Sequence, residues 1–207
     1  MRVAVYVDGF NFYYRALRGT RYKWLDIAAL SREILDVDDT VEFIRYFTAI
    51  VSPRAGDEGA PTRQEAYLRA LRTIPNLTIH HGRFLPKTKF RPLVADPSTY
   101  VEIHDTEEKG SDVSLAAHLL NDGFRNRYDA ALIVSQDTDL CEPLRMVKHD
   151  LRKIVGIVWS DSTSPGKRHK KVSDFIRHAN SSILGRSQFP DPVIGKGGMK
   201  IPKPAAW

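Results

Sequence analysis

Glu108–Leu140 reads EKGSDVSLAAHLLNDGFRNRYDAALIVSQDTDL, a helix, a buried strand and an acidic turn in succession. Ser111 and Asp112 open an apolar series (Val113, Leu115, Ala116, Leu119, Leu120) at helical spacing, so Asp112 lies in the first helical turn with its carboxylate at the helix mouth. After a glycine and a charged turn, Ala130–Val134 is a short continuous apolar run. That is the signature of a strand covered on both faces, as parallel strands are. Ser135-Gln136-Asp137-Thr138-Asp139 follows at once. In open α/β sheets ligands bind beyond the carboxyl ends of the strands, so two aspartates one residue apart there mark a candidate site.

The amino terminus supplies a matching half. Arg2–Val7 (RVAVYV) is a second apolar strand, ending in Asp8-Gly9-Phe10-Asn11. If the two strands are neighbours at the centre of a doubly wound sheet, Asp8, Asp137 and Asp139 converge on one crevice and the helix brings in Asp112. Such carboxylates repel one another unless a cation compensates them. Magnesium suits an all-oxygen ligand set, and no His/Cys cluster at zinc spacing competes. Singly, each aspartate has an ordinary use as a turn former, a helix-dipole partner or a cap; together they favour a site.

The combination of VDGFN at a first strand end, EKGSDV opening a later helix, and SQDTDL after a buried strand resembles the NYN domain, a branch of the PIN-like nuclease superfamily that includes the LabA-like proteins. The resemblance spans roughly Met1 to Ser160. It departs chiefly at Gln136 and Thr138, where the family often has glycine. It implies a Rossmann-like, mainly parallel α/β sheet with helices on both faces, and a metal-dependent ribonuclease. The implied acidic set is Asp8, Asp112, Asp137 and Asp139, with Asn11 as the accompanying polar residue and Lys109 where a basic residue is common. The implied cofactor is Mg2+ or Mn2+.

In the expected chemistry, Asp8, Asp112 and Asp137 hold one or two ions that activate a water for phosphodiester hydrolysis, with Asp139 as a further ligand. Asn11 orients the water or a ligand, and Lys109 stabilises the charge that develops. An aspartyl-phosphate mechanism is disfavoured because Phe10 stands where a second aspartate belongs. A nucleotide-binding protein lacks its glycine-rich loop after the first strand. The main rival is an RNA-binding or regulatory adaptor that keeps the fold with little or no cleavage.

At 207 residues and 42% hydrophobic content the chain can bury one substantial core. We expect a domain over residues 1–184 and a flexible or surface-clinging basic tail over 185–207. A formal charge of +6 and a pI near 9.4 favour a polyanionic partner. RNA is expected, single-stranded by preference; no membrane is, and a homo-oligomer is left open. The single cysteine, Cys141, and the lack of a signal-like or spanning apolar stretch point to a reducing, cytoplasmic setting.

Three further segments bear on RNA. Lys87, Lys89 and Arg91, with Phe90 among them, lie in a stretch read as a loop that either is merely solvated or grips single strands. Lys167, Arg168 and Lys170 follow the last expected strand, Lys153–Trp159. Phe12, Tyr13 and Tyr14 are expected to pack the first helix, leaving one aromatic over for a base. The remaining expectations are a helix capped by Asp26 and running to about Leu35, strands at 41–50 and 77–85, a short extended piece at Tyr100–His104, a helix from 172 to 178 or beyond, and His80 and His81 as structural residues.

Overall fold

The computed structural model describes residues 1–160 and 163–207. Six parallel strands form the central sheet: β1 (Arg2–Asp8), β2 (Thr40–Thr48), β3 (Leu77–His81), β6 (Ala130–Val134), β7 (Ile154–Trp159) and β8 (Phe175–His178), in the order β3-β2-β1-β6-β7-β8. The doubly wound order puts the reversal between β1 and β6, where a crevice opens at the strands' carboxyl ends. This is the α/β, PIN-like architecture expected.

Side-chain alternation on β1 explains why the sheet is covered twice. Val3, Val5 and Val7 enter one core with Ala130, Leu132 and Val134 of β6, whereas Ala4 and Tyr6 enter the other with Ala131 and Ile133. The first core is closed by α2 (Ile27–Ile34) and α3 (Ala60–Leu71); the second by α4 (Ser111–Phe124) and α5 (Cys141–His149). Helix α2 starts as expected, with Asp26 accepting from the backbone N–H groups of Ala28 and Ala29 at 2.8 and 3.0 Å. Asp122 of α4 is fully buried, but its charge is met by Arg45 at 2.7 Å, by Arg127 at 3.2 Å and by the Tyr6 hydroxyl at 2.9 Å.

Three segments differ from expectation. The strand expected at 77–85 breaks at Gly82, and residues 83–109 form a separate antiparallel ribbon of β4 (Arg83–Pro92) and β5 (Tyr100–Lys109), with strand pairing where a loop is expected at 86–97. The prolines that broke the pattern are tolerated because the ribbon has only two strands, both of them edges. Phe175–His178 is strand β8, not part of a last helix, because the preceding α6 (Lys167–Val172) stops at Ser173 and Asp174. The Ser173 hydroxyl turns back to the His169 carbonyl, and Asp174 accepts from the Val155 N–H at 2.9 Å, which pins the chain to the sheet edge.

Residues 185–207 pack on the domain. Phe189, Val193 and Ile201 are buried in the first core, and Trp207 sits against Trp24 and Tyr67. Each fully buried apolar side chain contributes about 1.5–3 kcal/mol. Their irregular spacing carries no period that a sequence pattern would reveal. Among the described residues, no helix is long and apolar enough to cross a membrane.

Candidate metal centre

Three elements deliver the acidic groups. Asp8 ends β1 and caps the short helix α1 (Gly9–Phe12), its Oδ1 accepting from the Asn11 N–H at 3.0 Å. Asp137 follows β6 and accepts from the Asp139 N–H at 2.9 Å, opening the short 3-10 turn Thr138–Leu140. Asp112 lies in the first turn of α4. One carboxylate oxygen from each of Asp8, Asp112 and Asp137 lies within 4.8 Å of the other two. Oxygens that close around one point fit a small divalent cation at its usual coordination distances.

The loop after β6 is tied to β1 by two side chains. The Ser135 hydroxyl donates to Asp8 Oδ2 at 3.1 Å and accepts from the Asp137 N–H at 3.1 Å. Asn11 uses its side-chain oxygen to accept from the Gln136 N–H at 3.0 Å. Asn11 thus holds the loop that carries Asp137. The Gln136 amide in turn donates to the Ser160 hydroxyl at 2.8 Å, linking the loop to the end of β7.

Asp8 is 4% exposed, and burial pushes its carboxyl up to about 6, with Asp112 and Asp137 adding to the rise and the hydrogen bonds from Asn11 and Ser135 opposing it. Asp112 is raised too, by burial first and then by Asp137, Glu108 and Asp139. A bound cation would remove the repulsion that raises both.

The start of α4 depends on a residue that the sequence patterns did not single out. Glu108 accepts from the Ser111 hydroxyl at 2.6 Å and from its N–H at 3.2 Å, capping the helix from outside. Gly82 makes room for this turn. A Cβ there would stand 2.1 Å from Glu108 Oε1 and 2.9 Å from the Lys109 carbonyl oxygen.

The other expected site residues sit further out. Asp139 is exposed on its turn and lies outside the trio. Lys109 is 3.2 Å from Glu107 on the ribbon. Lys87 pairs with Glu107, and Lys89 with Asp105, so the ribbon lysines spend much of their charge on their own strand partner. Phe84, at the base of the ribbon, meets Phe10 of α1 edge-on at 5.3 Å, which sets the ribbon beside the acidic crevice. Lys167, Arg168 and Lys170 are exposed on α6, after β7, and Arg168 acts on Cys141 together with Asp137 and Asp139. His80 stacks on Phe47 at 4.8 Å, and its ring lies 3.3 Å from Arg45, in keeping with a structural role.

The NYN domain profile matches residues 2–183. The chain belongs to the NYN domain family. Among similar proteins of known name is 6-hydroxy-3-succinoylpyridine 3-monooxygenase HspA of Pseudomonas putida, 30% identical over 247 aligned positions that cover 100% of this chain and 75% of that protein. Among solved structures, a protein of unknown function from Vibrio parahaemolyticus, VPA0982, superposes with a TM-score of 0.57 at 17% identity, covering 87% of this chain and 93% of that one. At that identity the superposition speaks to the NYN fold alone.

Proposed function

We propose that this NYN domain is a metal-dependent ribonuclease, hydrolysing phosphodiester bonds of single-stranded RNA at the crevice between β1 and β6. The observation that carries the reading is the convergence of Asp8, Asp112 and Asp137 within 4.8 Å. Membership of a family with nuclease members supports the same chemistry.

A Mg2+ or Mn2+ ion bound there supplies an activated water and neutralises charge on the phosphate oxygens. The chain's own residues build the conditions for it. Asp8, Asp112 and Asp137 would offer the ligand oxygens, and Asp139, exposed further along the same turn, would be at most a further ligand, direct or through water. Ser135 and the Asn11 N–H fix the Asp8 carboxylate, while the Asn11 side chain holds the loop of Asp137. Exposed Lys167, Arg168 and Lys170 on α6 meet the phosphate chain. Of the ribbon cations Lys87, Lys89 and Arg91, only Arg91 has no carboxylate partner among the described residues and keeps its full charge for a phosphate.

Labelled single-stranded RNA incubated with the purified protein in magnesium, in manganese and in EDTA tests this reading. Cleavage with either metal that EDTA abolishes supports it. Intact RNA in all lanes overturns it.

A second reading is favoured by the relative named as a 3-monooxygenase, which matches along the whole chain. On that reading an aromatic acid is hydroxylated at the expense of O2 and a two-electron reductant. Oxygen uptake that depends on an aromatic acid, with RNA left intact, would select it.

A further inference from the structure

Beside the acidic trio lies a cavity of about 340 Å³, at the small end of the range for small-molecule sites. Its walls include Tyr13, Tyr14, Tyr67 and Trp207. Tyr46 is 7% exposed and adds a phenol hydroxyl that no group among the described residues hydrogen-bonds. That hydroxyl oxygen is open to the cavity, where a ligand can take its hydrogen bond. Cations gather in the same lining. Arg18 and Arg54 are exposed and Lys23 is half-buried; among the described residues none is ion-paired, whereas Arg63 is held by Asp57. The Arg18 guanidinium lies 5.3 Å over the Tyr14 ring.

This cavity is continuous with the turn that carries Asp8. Gly9 and Phe10 line it, and Tyr46 approaches Gly9 so closely that a Cβ there would stand 2.6 Å from the Tyr46 oxygen. Asp8 is near enough to raise the Tyr46 phenol further, after burial.

We propose that the cavity is a nucleotide subsite, in which one nucleobase packs on the tyrosine and tryptophan walls and hydrogen-bonds the Tyr46 hydroxyl. The phosphate of that nucleotide meets Arg18, Lys23 and Arg54. Aromatic walls suit any base, since every base presents a π face, and unpaired cations suit a phosphate. A ring held against the Gly9 turn leaves the next phosphate of the strand beside Asp8. The identification of the ring as a base of the cut strand rests on the ribonuclease reading; the binding does not require cleavage.

The test is titration of nucleoside 5′-monophosphates into the full chain in EDTA, followed by tryptophan fluorescence and calorimetry, with ribose 5-phosphate and benzoate as comparison ligands. The nucleotides are expected to bind about tenfold or more tightly than ribose 5-phosphate. Tyr14→Ala is expected to weaken nucleotide binding about tenfold. Tyr46→Phe, which keeps the ring and the packing, is expected to weaken it severalfold. Asp112→Asn should bind as wild type does, so loss of RNA cleavage in that variant leaves this result standing. Equal affinity for ribose 5-phosphate, binding of benzoate but not of nucleotides, no binding at all, or wild-type affinity in both tyrosine variants would each overturn the proposal.

Discussion

Ser135 and Asp8 share a hydrogen bond of 3.1 Å across the gap between β6 and β1. The same hydroxyl accepts from the Asp137 N–H, so one small side chain sets the spacing of two of the three converging carboxylates. Ser135→Ala is expected to lower divalent-metal affinity about 10- to 100-fold, as loss of a supporting hydrogen bond to a ligand does. Stability should fall by only about 1 kcal/mol. Calorimetric titration with Mn2+, alongside urea unfolding, separates the two effects.

Asp8 titrates near 6 in the folded protein, above its ordinary value of 3.8. Between those values the folded state holds this proton more tightly than the unfolded chain. Its contribution therefore lowers metal-free stability as pH rises from about 4 to about 6, and is level above. Metal affinity should rise over the same interval, because the ion competes with the proton. Unfolding curves from pH 4 to 7 in EDTA, compared with Asp8→Asn, check the first statement; a variant with the same slope as wild type would refute it.

Arg45→Ala is expected to cost about 3 kcal/mol, because Asp122 is fully buried and would keep only the half-exposed Arg127 as a cationic partner. Arg2→Ala, which breaks the exposed pair with Asp129, should cost less than about 1 kcal/mol. Urea denaturation of the two variants side by side measures the contrast.

Replacing Lys167, Arg168 and Lys170 together by Gln should reduce the salt dependence of single-stranded RNA binding, by about 0.7 in the log–log slope for each phosphate that is no longer neutralised. Replacing Lys87 and Lys89 should change the slope less, since Glu107 and Asp105 already neutralise them. A salt titration of RNA affinity in both variants decides between the two surfaces.

The sequence made the centre of the molecule legible and its periphery less so. Strands β1 and β6 are unbroken apolar runs that end in aspartates, and a parallel sheet buried on both faces leaves that pattern. Asp8 and Asp137 can therefore be placed together from the residues alone. Helical spacing after Ser111 does the same for Asp112.

Only fragments of the ribbon were legible, Arg83–Leu85 as strand and Tyr100–His104 as an extended piece; their pairing escaped because the two strands are solvent-exposed and rich in proline and charge, so no apolar alternation marks them. Strand β8 escaped because four residues, FIRH, are too few to show a period, and Val172, Phe175 and Ile176 also satisfy helical spacing. Tyr46 and Trp207 lie 161 positions apart in sequence yet share one cavity. No local pattern encodes that meeting. Asp139 was grouped with Asp137 by adjacency, but on the short 3-10 turn its side chain is exposed and outside the trio.

A cation held by Asp8, Asp112 and Asp137 is central to the proposed chemistry, and thermal unfolding of wild type and Asp137→Asn, each with and without Mn2+, tests it most directly. Without metal, Asp137→Asn should melt at or above the wild-type temperature, because a charge leaves a crowded acidic cluster. With metal, wild type should rise by mass action and the variant much less. An Asp137→Asn protein that gains as much from Mn2+ as wild type does would contradict the metal centre.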